Sequence, residues 1–241
     1  MVSLTHCFLA KSDLSLLYVW DKASLEGKVI IILLILFSIF AWTVMASKAM
    51  QMRRAKRMNH YFENEFRAQK NVFGIYDRRI QVEGCPLFTV YQEGCFELDG
   101  RLKGESDTRK RRISIKGLTQ VTRTLERAVA QESLKLESGL ILLAIAVSGA
   151  PFLGLLGTVW GVMTAFSEVA IQGKADLLVM APGVAAALVT TVAGLLVAIP
   201  SMFGYNWLVH TLRVLTVELD NFAQELLSKM EIEFLRDEDV E

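Results

Sequence analysis

Three stretches of this chain are apolar over lengths that a soluble fold seldom needs. The first is VIIILLILFSIFAWTVMA, Val29 to Ala46, without a charge. A helix of about 18 residues rises about 27 Å, close to the thickness of a bilayer's hydrocarbon core. The second runs from Ser138 to Ala170 and the third from Ala181 to Val209. Each predicts a transmembrane helix, and together they predict an all-α membrane protein with three spans extended into a cytoplasmic helical bundle. The first run starts too far into the chain for a cleavable signal peptide and lacks a small-residue cleavage site. The second is longer than one crossing requires, and Pro151 inside it implies a kink or a tilted start.

Basic residues orient the spans. SKAMQMRRAKRM, Ser47 to Met58, carries five basic residues and no acid directly after the first span, so it is expected in the cytoplasm. This divides the chain into an N-terminal periplasmic or interfacial segment (1–28), a first span (29–46) and a cytoplasmic helical region (47–137). A second span (138–170), a short periplasmic loop (171–180), a third span (181–209) and a cytoplasmic helix with an acidic tail (210–241) follow. Asp13 to Lys28 reads as an interfacial helix. A helix is expected from Pro86 to about Gly100, then a polar loop whose Arg109–Arg112 cluster is either solvated or set against anionic headgroups. From Ile113 the pattern is helical without a break into the second span. Leu208, Leu212, Leu215, Leu219, Phe222 and Leu226 form one apolar stripe, predicted to pack on the other cytoplasmic helices.

The chain is 22% charged with zero net charge, so an aqueous part must exist, and nothing favours nucleic acid as a partner. Cys7, Cys85 and Cys95 are odd in number and form no CxxC or Cys/His cluster, so neither a disulfide framework nor a zinc site is expected. His6, His60 and His210 are scattered, and no nucleophile–base pair or phosphate loop is present. The expected chain is not an enzyme and needs no cofactor or metal.

PFLGLLGTVWGVMTAF, Pro151 to Phe166, places three glycines in an apolar helix, although each costs about 1 kcal/mol against alanine. Residues three and four apart share a helix face. Thr158 then stands beside Gly154 and Gly161, with Ala165 beyond. In the third span Thr191 stands beside Ala187 and Gly194, with Ala198 beyond. Gly154, Gly157, Gly161, Gly194 and Ala187 are candidate packing residues, since small side chains let membrane helices approach closely. The threonine hydroxyls either glue such contacts or line a narrow polar path, and spacing alone leaves both open. No Asp, Glu, Lys, Arg or His lies between the ends of the spans; Glu168 stands at the outer end of the second. A proton relay normally needs one, so a carboxylate would have to come from elsewhere.

These residues resemble the MotA/TolQ/ExbB proton-channel family, most closely its TolQ and ExbB branch. The resemblance rests on PFLGLLGTVWGVMTAF at 151–166, MAPGVAAALVTTVAGLLVAIP at 180–200 and YNWL at 205–208. It implies a homopentamer in the bacterial inner membrane, N-terminus periplasmic and C-terminus cytoplasmic. The pentamer would surround a TolR/ExbD-like single-span partner that carries a membrane Asp. Proton flow past that Asp would drive a TolA/TonB-like transducer and so energise an outer-envelope process. The family's functional threonines match Thr158 and Thr191, which favours the pore-lining reading. One departure stands out. The family's APGIAEAL has a glutamate where this chain has Ala186, in APGVAAAL, and Thr190 is the nearest polar substitute. A non-conducting structural scaffold is the alternative that Ala186 supports.

Overall fold

In a lipid core every backbone N–H and C=O must be satisfied within the chain, which makes a long apolar segment a helix. The computed structural model describes residues 24–78, 82–104, 112–173 and 177–235. Five α-helices account for most of them: α1 Leu25–Ala68, α2 Pro86–Gly104, α3 Ile115–Glu137, α4 Leu140–Gln172 and α5 Leu177–Phe234. Two 3-10 turns, Val72–Gly74 and Tyr76–Arg78, lie between α1 and α2. Among the described residues there is no sheet, only an isolated bridge between Ile113 and Leu235. Stretches of α1, α4 and α5 are each long and apolar enough to cross a membrane. The chain is an all-α membrane protein. The predicted interfacial helix and the Arg109–Arg111 part of the basic cluster lie largely or wholly outside the described residues.

Local chemistry sets the helix ends. Ser24 Oγ accepts the Gly27 N–H at 3.2 Å and caps α1, with Glu26 in the first turn. Gly84, at φ +78°, turns the chain ahead of Pro86, which opens α2 where its missing N–H costs nothing. Ser114 caps α3 by accepting from Gly117 N at 3.3 Å. Gly173, at φ +66°, ends α4 and returns its N–H to Val169 O at 3.0 Å.

Several boundaries differ from the sequence expectation. The helix expected to run unbroken from Ile113 into the second span is two helices, α3 and α4. Ser138 leaves helical geometry and Gly139 takes φ +83°, a left-handed conformation that ends one helix before the next begins. Helix α2 continues past Gly100 to Gly104, shortening the polar loop. Helix α4 reaches Gln172 and α5 begins at Leu177, so both extend into the stretch expected as a loop. The third apolar run and the C-terminal stripe form one helix of 58 residues, with Pro182 and Pro200 inside it.

The chain forms two compact units, divided between residues 46 and 47, 138 and 139, and 206 and 207. In the apolar unit, α1, α4 and α5 meet around Leu34, Ala150 and Ala198, flanked by Ile30, Phe37, Leu153 and Val197. Its outer surface is apolar, with Leu36, Phe152, Val159, Leu188 and Leu196 exposed, as suits lipid or a neighbouring subunit better than water.

The polar unit has a conventional core. Phe62, Phe66, Phe88, Tyr91 and Phe222 interlock with ring centroids 5.1–6.4 Å apart. Leu208, Leu215, Leu219, Phe222 and Leu226 of the predicted stripe are buried there, and Met230 extends it; Leu212 is half-buried. Asn59, also buried, accepts the Leu87 N–H at 3.3 Å and so fastens α1 to the start of α2. Tyr91 donates to Val72 O at 2.6 Å and accepts from Tyr76 N at 2.9 Å, holding the 3-10 turns. Burial pushes the Cys85 thiol up to about 11 and the Cys95 thiol up to about 12.

Candidate functional site: a hydroxyl cluster between α4 and α5

Helices α4 and α5 meet along a seam of residues too small to hold them apart. A Cβ added to Gly154 would lie 2.9 Å from Thr190 O and 3.0 Å from Thr191 Cα. One added to Gly161 would lie 2.7 Å from Ala187 Cβ, and one added to Gly194 only 2.6 Å from Ala150 O. Gly157 faces the Thr190 side chain so closely that any Cβ there would overlap it. Ala165 stands opposite Gly183 at the same seam. Gly154, Gly157 and Gly161 thus have a physical reason: each removes a side chain where the other helix passes.

Three hydroxyls converge on this seam. Thr190, 1% exposed, reaches Ala187 O in its own helix at 2.6 Å and Gly154 O across the seam at 3.1 Å. Thr191 reaches the same Gly154 O at 3.2 Å and Thr158 Oγ1 at 3.4 Å. Thr158 donates to Leu155 O at 2.7 Å. A hydroxyl has one hydrogen and two lone pairs. Thr190 and Thr191 each have a choice of acceptor, and the Thr158 oxygen keeps capacity to accept. The cluster can therefore exchange hydrogen-bond partners without moving a backbone atom.

The structure brings Thr158, Thr190 and Thr191 together and sets Gly154, Gly157, Gly161, Gly194 and Ala187 along the same seam. The depth of each differs from what spacing suggests. Thr158 and Thr191 are half-buried at the seam's edge, while Thr190 is its fully buried member. A period of 3.6 makes residues 190 and 191 both plausible neighbours of the column at 187 and 194. Only the partner helix decides between them. Ala150, Ala165 and Gly183 are further seam residues; their signal in the sequence was small residues recurring three, four and seven positions apart.

The seam is uncharged. Helix α5 carries no Asp, Glu, Lys, Arg or His from Leu177 to Val209, and α4 carries one such residue, Glu168. Among the described residues no three His, Cys, Asp or Glu side chains are grouped so as to hold a metal ion.

A multi-pass membrane protein with a threonine cluster inside an otherwise small and apolar helix pair is the class this geometry defines. The profile of the MotA/TolQ/ExbB proton channel family matches residues 105–221. The Tol-Pal system protein TolQ of Haemophilus influenzae is 34% identical over 221 residues, covering 89% of this chain and 92% of the relative. TolQ of Pseudomonas aeruginosa is 30% identical over 189 residues, 77% of this chain and 79% of the relative. The biopolymer transport protein ExbB of Xanthomonas campestris pv. campestris is 42% identical over 106 residues, 44% of this chain and 42% of the relative. The chain belongs to the MotA/TolQ/ExbB proton channel family, as the motifs at 151–166 and 180–200 suggested.

Proposed function

We propose that this chain is the TolQ/ExbB-like inner-membrane subunit of a motor driven by the proton-motive force. It works as a homopentamer around a TolR/ExbD-like single-span partner with a membrane Asp, and through a TolA/TonB-like transducer it energises an outer-envelope process. The observation that carries this reading is the cluster of three hydroxyls, two of which share Gly154 O while the third is reached through Thr191, set in helices with no charge at that depth. Hydroxyls can orient water but do not hold a proton near neutral pH, and an unpaired charge in an apolar interior is costly. A titratable group at the depth of these hydroxyls must therefore come from a second chain, and family membership supports a proton-conducting role.

The test is proton flux into liposomes. The protein with its single-span partner is expected to conduct, and the protein alone to leak few protons. Changing the partner's membrane Asp to Asn keeps the shape and removes the titration, so the complex should form and flux should stop. A double Thr190→Val, Thr191→Val variant should assemble and lose most flux. Rapid flux through this protein alone would contradict the reading, as would full flux with the Asn partner.

A second reading, the non-conducting scaffold, draws on one observation. The hydroxyls of Thr158, Thr190 and Thr191 all have backbone acceptors inside the protein, as packing alone would require. Full function of the double Val variant would favour the scaffold.

A further inference from the structure

Beside the hydroxyl cluster, toward the Gly173 end of α4, is a small cavity of about 60 Å³. Helix α4 lines it with Gly157, Gly161, Thr164, Ala165 and Glu168, a set that falls on one helix face. Opposite stand Gly183, Ala186 and Ala187 of α5, and Ser24 and Gly27 close it from the start of α1. Six of these ten residues are glycine or alanine on α4 and α5, so the cavity exists because side chains are missing. Its polar groups are the hydroxyls of Ser24 and Thr164 and the carboxylate of Glu168.

The two ends of the cavity differ chemically. At one end Gly157 lies directly against the Thr190 hydroxyl; a methyl group there would overlap it. At the other end is Glu168, exposed, and the one ionisable side chain of α4. Thr158 and Glu168 are ten residues apart, about 15 Å along the axis. The volume suits about two waters, each of which needs polar partners of the kind found here. The charged residues that flank this mouth on α1 are Glu26 and Lys28, on either side of Gly27. Helix α5 contributes none.

We propose that Glu168 is the proton-exchanging group at this end of the α4–α5 seam. Its carboxylate takes a proton from bulk water, becoming a neutral acid. It returns that proton to water in the cavity and is again a carboxylate. The cavity water passes the proton toward Thr190, Thr191 and Thr158. The Gly/Ala lining keeps this short path open, and Glu168 supplies the titratable stop that the hydroxyls cannot. The inference rests on the proton-conducting reading above and assigns this chain a carboxylate of its own in addition to the partner's.

The experiment is the same liposome assay on the complex with its single-span partner, with a trapped pH-sensitive dye as the probe. Glu168→Gln should lower flux by roughly a hundredfold or more, in the range expected for loss of one positioned proton-transfer group. It should also remove an inflection from the profile of flux against pH, while Glu168→Asp retains both. The Gln complex should keep its mass and thermal stability, which separates the role from a structural one. Gly157→Ala, which fills the inner end of the cavity, should lower flux without altering the inflection. Unchanged flux and an unchanged pH profile in Glu168→Gln, with the partner's Asp still required, would overturn this inference alone. A wild-type complex that conducts no protons would overturn both it and the reading it rests on.

Discussion

Glycine has two opposite roles at the residue scale in this protein. Gly157 and Gly161 are needed because another helix passes where their Cβ atoms would be. Gly100 lies inside α2 with nothing within 4 Å of a Cβ, so it only weakens its helix. Gly100→Ala should therefore stabilise the protein by about 1 kcal/mol. Gly157→Ala should destabilise it by about 1–3 kcal/mol through overpacking against Thr190. Gly161→Leu should prevent close approach of α4 and α5 and abolish assembly. Thermal unfolding in detergent checks the first two, and native mass the third. A raised melting temperature in Gly157→Ala would mean that the seam has slack.

Boundaries matter more than helix existence at the element scale. Helices α3 and α4 follow each other with only Ser138 and Gly139 between them, and the break depends on φ +83° at Gly139. An alanine there would have to adopt a conformation that costs about 1–2 kcal/mol for a residue with a Cβ. Gly139→Ala should lower stability by that amount or draw α3 and α4 into one helix. Unfolding midpoints together with hydrogen exchange over 134–142 would distinguish these outcomes, and no change in either would mean that the break does not need the left-handed residue. The prolines behave differently. Pro151, Pro182 and Pro200 all sit inside helices rather than at their ends. Membrane helices tolerate interior proline when neighbouring helices or hydroxyl side chains satisfy the freed carbonyls.

For the whole molecule the prediction concerns which side of the membrane each part occupies. By the basic run at Ser47–Met58, residues 47–137 are expected on the cytoplasmic side. Ile171 is 85% exposed at the end of α4, and His60 is exposed on α1. In a Cys7→Ser background, Ile171→Cys should react with an impermeant maleimide applied to intact cells, and His60→Cys only after the membrane is opened. Background from Cys85 and Cys95 should be small. Both are buried, and their thiols stay protonated until the pH approaches 11 and 12 respectively. The sign of the linkage follows. Above about pH 9 unfolded thiols ionise while the folded ones do not, so the polar unit should lose stability between pH 9 and about 11. Melting curves at pH 8 and 10.5, with and without Cys85→Ala, check this. External labelling of position 60 would reverse the orientation.

The sequence by itself determined the three membrane helices, because hydrocarbon thickness sets a length that a charge-free run either meets or does not. It also determined the family, through motifs at 151–166 and 180–200, and the apolar stripe from Leu208 to Leu226. These are one-dimensional properties, fixed by residue type and spacing. It gave the candidate residues of the seam but not their depth, since helical periodicity leaves Thr190 and Thr191, or Gly157 and Thr158, nearly equivalent. Only the tertiary structure put Thr190 inside and left Thr158 and Thr191 at the edge, because the crossing of α5 over Gly154 and Gly157 selects the buried face. The same holds for the break at Gly139: the change from polar to apolar residues there marks the start of a span, but only a backbone angle decides that the helix is interrupted. It holds also for the cavity that joins Ser24, Ala186 and Glu168, residues far apart in sequence that become neighbours only when three helices pack.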